Sequence, residues 1–494
     1  RTLDLMPIHQ PEPHGQVRTK IVATVGPASN TPERLRDLME AGVDVFRLNF
    51  SHGTQDDHSR SLTAIRSVAD AAGRNVGVLQ DLGGPKLRLG PIPGDAIECR
   101  LGDEFTLVFD RSSDDPHQLT CSYRGLVDDL TVGDVVLFAD GTVAMGVMGV
   151  ESGQARLVVT LGGQLRSRQG INLPNAELKL DALTERDLTD LDWTATHGVE
   201  YVGLSFVRKA ADVEQLRDEL RKRNCRSRIV AKIEKPQAVD DLDAIIGASD
   251  AVMVARGDLG VELDVARVPA IQKRIIAVCH RARVPVITAT QMLNSMESSS
   301  RPIRAEATDV FNAVLDGTDA VMLSGETAVG RYPVESVETM SRIVREAEAY
   351  LAEGGAEVYP RAHLEAGHAA GHVPDTTEAI VEAASLACRR LGAKLLVVAS
   401  HSGRTALAVA KSRNTTPTIA LAPDAATARA MSLYWGVTPL VAPSEMDDVE
   451  HTLTFAIAWA RARDLIAPGD RLVWLRGFLP DDPTHNGMRV QVVT

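Results

Sequence analysis

Aromatic residues make up only 4% of this 494-residue chain. So thin a supply of stacking platforms argues against single-stranded nucleic acid as the main ligand. Positive charge is short as well: 53 lysines and arginines face 66 aspartates and glutamates, giving a formal charge of −13. Without a long basic run, nucleic acid and anionic membrane are excluded as principal partners. Cysteine is sparse and unpatterned. Cys99, Cys121, Cys225, Cys279 and Cys388 are odd in number, far apart and without a CxxC pair. That excludes a disulfide framework or a zinc site and fits a reducing cytoplasm. No stretch approaches the ~20 apolar residues of a membrane span. Residues 1–16 lack the apolar core of a signal peptide and read as a loosely attached arm. The expectation is a soluble cytoplasmic protein of roughly 2–4 domains.

What the chain does have is a recurring βα pattern. Eight short apolar runs, Lys20–Val25, Val43–Asn49, Val76–Asp81, Tyr201–Phe206, Ile229–Glu234, Ala251–Ala255, Val284–Thr290 and Ala320–Ser324, alternate with segments of helical spacing. Polar residues gather at the ends of these runs, which favours a (β/α)₈ barrel with its site at the strand C-termini over an open doubly wound sheet. Pro302 and Gly317 bracket one of the connecting helices. The pattern breaks between Asp81 and Tyr201. There, Glu104–Phe109, Val135–Phe138, Thr142–Val147 and Ala155–Thr160 read as short strands separated by glycine turns, an inserted small β-barrel lid. A second α/β pattern starts at Thr376. The predicted division is an arm at 1–16, a catalytic barrel at 17–85 and 182–351, a lid at 86–181, a linker at 352–375 and a C-terminal α/β effector domain at 376–494.

The most telling segment is IVAKIEKPQAVDDLDAIIGASDAVMVARGD, Ile229 to Asp258. Lys232 and Glu234 are two apart on an apolar run, so in a strand they share a face. Asp258 closes the next run. The pair alone could be an internal ion pair, but buried charge gains little for stability. Two carboxylates in one pocket call for a cation between them, and Mg²⁺ leaves ligand positions for substrate oxygens. Lys232 would then neutralise a transferring phosphoryl group. In FRLNFS, Arg47, Asn49 and Ser51 alternate onto one side, and the arginine suits a bidentate hold on phosphate. His52 and Thr290 say little alone. The turn Ser400, His401, Ser402, Gly403, Arg404, Thr405 lies between a strand and a helix and could grip a phosphate or be an ordinary turn.

The ordered motifs RLNFSHG, QDLGGPKLR, FVRKAADV, IVAKIEKPQAV, MVARGDLG, ITATQML, RAEATDV and DGTDAVMLSGETAVGRYP resemble the pyruvate kinases over essentially the whole chain. The resemblance implies phosphoryl transfer from phosphoenolpyruvate to ADP, Mg²⁺ with Mn²⁺ as a possible substitute, a homotetramer and a phosphorylated allosteric effector. By motif, Arg47 is similar to the phosphate-binding arginine, Lys232 to the phosphoryl-stabilising lysine, and Glu234 and Asp258 to the metal ligands. The backbone of Ala255, Arg256, Gly257 and Asp258, with Thr290, is similar to the groups around the substrate's carboxylate and enolate. Thr290 suits positioning a proton relay better than acting alone. His52 and Arg88 resemble nucleotide-phosphate contacts. In this domain the loop Ser400–Thr405 is a candidate effector site; the segment after Arg476 fits fructose 1,6-bisphosphate poorly, which points to a nucleotide or sugar monophosphate.

Two departures stand out. Relatives that need K⁺ hold it with residues matching Asn49, Ser51 and Asp81 plus a following threonine, and carry a glutamate soon afterwards. Here those last two positions are Leu82 and Lys86, with Gly83 and Leu89 also changed, a set similar to the K⁺-independent branch. The ammonium of Lys86 is expected to supply the charge that K⁺ supplies elsewhere. Before the lid's Gly-x-Asn-Leu-Pro hinge, Gln169 with Arg168 replaces the usual lysine. A lyase or aldolase on a similar barrel would not need a lid or His52 and Arg88. A non-catalytic effector-sensing or scaffold protein would be expected to have lost Lys232, Glu234 or Asp258.

Overall fold

The computed structural model describes residues 17–355, 376–442, 449–476 and 487–494, apart from 110, 111, 122, 124, 152 and 175–180. The arm at 1–16, most of the linker and the loop after Arg476 lie outside the described residues. Eight parallel strands close into a barrel: Lys20–Thr24, Val45–Asn49, Gly77–Asp81, Tyr201–Leu204, Arg228–Ile233, Ala251–Ala255, Val286–Ala289 and Ala320–Leu323. The first pairs with the eighth, Lys20 opposite Ala320, and completes the ring. Each run is buried on both faces, which is why these strands read as near-continuous apolar segments rather than alternating ones. Val22, Val45, Leu79, Val230, Met253, Ile287 and Met322 fill the interior, and Leu433 of the C-terminal domain joins that core from below.

Side-chain caps set the helix starts. Thr31, Thr54 and Thr184 each accept an N–H three residues on, and Asp57 and Asp187 answer back to Thr54 and Thr184 in capping boxes. The helix predicted to follow Pro302 starts two residues later, at Arg304, because Glu306 reaches back to the N–H of Ile303. The helical spacing across Val239–Ile246 resolves into two pieces, Pro236–Asp240 and Leu242–Ala248, broken at Asp241.

The inserted segment folds as a six-stranded sheet with a two-stranded companion, Ala96–Cys99 against Gly163–Arg166. Its core is its own, built around Phe105, Leu107, Phe138, Met145 and Leu157. Gly84 marks the way out of the barrel, with φ of 63° and the Phe206 ring so close that a Cβ there would lie 2.8 Å from it. Only glycine fits. The C-terminal domain is a five-stranded sheet in the order Val437–Val441, Thr418–Ala422, Leu395–Ala399, Arg471–Arg476, Gly487–Val492, parallel except for the last pair. Pro439 is confined to its edge strand, as a residue without an N–H should be.

Candidate active site

Strand ends at one face of the barrel assemble the residues of the sequence motifs. Asp81, at the end of the third strand, is the hub. Its Oδ2 accepts from Arg47 Nε at 2.7 Å and Nη2 at 2.5 Å, and its Oδ1 lies 3.2 Å from the Lys232 ammonium. Arg47 also donates to Thr24 Oγ1 at 3.1 Å. Lys232 Nζ meets Glu234 Oε1 at 2.9 Å and donates to Ser205 Oγ at 2.8 Å, and Ser205 donates in turn to the carbonyl of Leu82. Glu234 Oε2 accepts the N–H of Phe206 at 2.8 Å.

The electrostatics follow from this packing. Burial would raise the Asp81 carboxyl, but Lys232 and Arg47 outweigh it and hold the group below its usual range. Burial pulls Lys232 down, yet Asp81 and Glu234 keep its ammonium charged well above the ordinary lysine range. Glu234 is raised, first by burial and then by Asp258, against the pull of Lys232. Asp258 therefore lies within electrostatic reach of both, and Glu234 and Asp258 together are short of positive charge. Hard carboxylate oxygens in that state fit Mg²⁺. Among the described residues no three acidic, histidine or cysteine side chains form a metal cluster, so a Mg²⁺ held here would complete its shell with water and substrate oxygens.

Some positions differ from the sequence reading. Glu234 sits one residue beyond its strand and Asp258 lies in the first turn of a helix, Arg256–Glu262, rather than on a strand. Ser51 is past the end of the second strand, where its N–H donates to Asn49 Oδ1 at 3.1 Å. Arg256 turns away to hold the seventh strand's end, donating to the carbonyls of Ala289 and Thr290 and pairing with Asp309 at 2.7 Å. Thr290 Oγ1 donates to the Ala289 carbonyl at 2.6 Å and accepts the Gly257 N–H at 2.7 Å. Lys86 is exposed. Its Cε would lie 3.6 Å from a Cβ built on Gly170, and its ammonium has no hydrogen-bond or ion-pair partner among the described residues, Asn49, Ser51 and Asp81 included. Leu82 is fully buried.

Lys86, Arg88 and Arg47 form a positive rim around His52. Although much of its ring meets solvent, His52 is held below its ordinary range by partial desolvation and then by Arg88, Lys86 and Arg47. Arg88 donates to the carbonyl of Arg168 at 3.3 Å, and Gln169 turns inward to the Arg166 N–H at 2.7 Å. Three of the non-glycine residues with positive φ lie at the mouth: Phe206, Thr290 and Gln291, at 57°, 67° and 53°. Positive φ is costly for such side chains, about 1–3 kcal/mol each, and clusters where function demands it. The distant turn Ser400–Thr405 has Ser400, Gly403 and Thr405 buried, Ser402 and Arg404 exposed, and the Ser402 carbonyl accepting from Arg228 at 3.2 Å.

The sequence reading missed Ser205, Thr24 and the role of Asp81 as the hub between two cations. Ser205 carried a signal, a polar residue at the end of a predicted strand. The pairing of Asp81 with Lys232 carried none, because it spans 151 positions of sequence (232 − 81).

A closed parallel barrel with an inserted lid, and an ammonium, a guanidinium and three carboxylates gathered at its mouth, suits a phosphotransferase. The comparisons narrow the class. A family described as "Pyruvate kinase, barrel domain" matches residues 16–337, and "Pyruvate kinase, alpha/beta domain" matches residues 378–491. A pyruvate kinase of Agrobacterium vitis is 40% identical over 96% of this chain and 96% of its own. One from Mycobacterium tuberculosis is 42% identical over 86% of this chain and 88% of its own. The crystal structure of a Cryptosporidium parvum pyruvate kinase superposes with a TM-score of 0.89 at 33% identity, covering 97% of each chain. The chain belongs to the pyruvate kinase family and is a phosphotransferase.

Proposed function

We propose that this enzyme moves the phosphoryl group of phosphoenolpyruvate to ADP, with Mg²⁺ on Glu234 and Asp258, Mn²⁺ as a possible substitute, and no need for K⁺. The observation that carries the reading is Lys232: a buried ammonium kept charged between Asp81 and Glu234. Phosphoryl transfer asks for such a preorganised charge, since positioning and electrostatics supply most of the catalysis. The bond from phosphorus to the enol oxygen breaks, one to a terminal oxygen of ADP forms, and the enolate takes a proton at its methylene carbon. Lys232 and Arg47 would meet the charge on the transferring group. Mg²⁺, when bound, would supply charge neutralisation at the phosphoryl and enolate oxygens. The proton of Thr290 is directed at the Ala289 carbonyl, which supports a positioning role beside the backbone of Ala255–Asp258. His52 and Arg88 would face the nucleotide phosphates.

K⁺ independence is supported by two features. Leu82 offers no oxygen ligand, and Asp81 already sits between two cations. Lys86 would act across the mouth as part of the positive rim rather than inside the Asn49–Ser51–Asp81 pocket. The resemblance further supports a cytoplasmic homotetramer and a phosphorylated effector at Ser400–Thr405. Among the described residues no helix is long and apolar enough to cross a membrane. The test is pyruvate formation with Mg²⁺, with and without ADP, in K⁺ and in tetraalkylammonium buffer. Turnover should depend on ADP and be equal in both buffers. Release without ADP would overturn the kinase reading in favour of a lyase, and a large drop without K⁺ would overturn the cation reading alone.

A further inference from the structure

Glu262 closes the helix that carries Asp258, one turn further on, and is almost fully buried at 4% exposure. Its Oε1 accepts from Asn172 Nδ2 at 2.9 Å and also takes the ammonium of Lys235. Asn172 belongs to the lid, in the short strand Ile171–Asn172 that pairs with Val135–Phe138. Lys235 follows Glu234 directly, and its ammonium lies 5.8 Å over the ring of Phe206, whose N–H holds Glu234 Oε2. Beside this contact the lid's turn Ala139–Gly141 meets the same helix: a Cβ on Gly141 would lie 3.6 Å from Val261 Cγ1. One buried carboxylate thus touches the lid, the neighbour of Glu234 and the helix of Asp258.

We propose that Glu262 is a positioning residue, a latch through which the seating of the lid sets the geometry of Glu234 and Asp258. The proposal rests on the reading of those two as metal ligands. The chemistry of the contact suits a latch that opens. Lys235 neutralises Glu262 permanently, while the lid contributes only a neutral amide. When Asn172 leaves, no bare charge remains buried, so release costs far less than breaking an ion pair would. Glu262 Oε2 has no hydrogen-bond partner among the described residues.

The test compares wild type with Asn172→Ala, Glu262→Ala, the double variant and Asp258→Ala, all in the full-length enzyme. Direct Mn²⁺ binding is followed by water proton relaxation, with and without phosphoenolpyruvate, beside the Mg²⁺ activation constant in turnover. Groups that orient metal ligands typically govern affinity by about 10–100-fold. Asn172→Ala should weaken Mn²⁺ binding by about tenfold, at the low end of that range, and Asn172→Ser, which keeps a donor, should recover part of it. The double variant should be no worse than Glu262→Ala alone, since both break one contact. Wild-type Mn²⁺ binding by Asn172→Ala, or losses that simply add in the double variant, would overturn the latch. If Glu262→Ala does not fold, the Asn172 pair still decides, because Asn172 is a neutral residue. Asp258→Ala separates the premises: Mn²⁺ binding unaffected there would overturn the metal reading itself and the latch with it.

Discussion

At the mouth of the barrel Asp81 lies between Arg47 and Lys232; at the opposite end Asp319 lies between Lys411 and Arg413. Both aspartates are about 1% exposed, and both are held below the usual carboxylate range by their two cations in spite of burial. The surroundings make the difference. At the mouth all the charges belong to the barrel and its loops, and two further carboxylates, Glu234 and Asp258, leave the cluster short of positive charge. At the other end the cations come from the C-terminal domain. Asp319 Oδ2 also accepts the N–H of Val286 at 2.8 Å, and Arg413 lies 4.7 Å over the ring of Trp435. There the surplus is positive, and His280 beside it is kept neutral, first by burial and then by Arg413 and Lys411. One arrangement asks for a ligand, and the other clamps two domains together.

The largest effect should come from removing the mouth's ammonium. Lys232→Met is expected to lower kcat by on the order of 10³-fold, measured by steady-state turnover on protein shown to be folded by calorimetry. A variant that keeps most of its rate would end the idea that the two clusters serve different ends. The mirror experiment is Asp319→Ala, which leaves Lys411 and Arg413 buried without their anion. It should destabilise the docked C-terminal domain by roughly 3–5 kcal/mol, seen in denaturant unfolding, while turnover below the transition survives. A large loss of kcat in the folded variant would instead couple the two ends.

The smallest effect is in pH. Since the folded Asp319 carboxyl titrates below its unfolded value, its contribution is present above the ordinary carboxylate range and lost as pH falls through the depressed value. The stability gap between wild type and Asp319→Asn should therefore shrink below about pH 4, followed by thermal unfolding across pH. A gap that stays constant would show that hydrogen-bond geometry, not charge, holds the interface.

Much of the fold was legible because its signals are local. Continuous apolar runs such as Ala251–Ala255 mark strands buried on both faces, and the lid strands Glu104–Phe109 and Val135–Phe138 fall where the glycine turns bound them. Lys232 and Glu234 were legible for the same reason, as two charges on an apolar run. Asp258 was misplaced by one element, because Arg256 and Gly257 start a helix that no periodicity over so few residues announces. Lys86 is expected from the sequence to supply the charge of K⁺, but where it does so was not legible: its side chain stands beside Gly170 at the lid hinge, since the chain turns at Gly84 before reaching it.

Residue chemistry and short-range spacing thus determined the element order, the family and the charged groups available at each strand end. Only the tertiary structure decided which charges meet. Asp81 with Lys232, Glu262 with Asn172, Asp319 with Lys411 and Leu433 beneath the barrel core are contacts across 90 residues or more of sequence. Such pairings depend on barrel closure and on domain docking. Neither leaves a mark on the local sequence, because the free energy of a buried charge is set by whatever the fold brings against it.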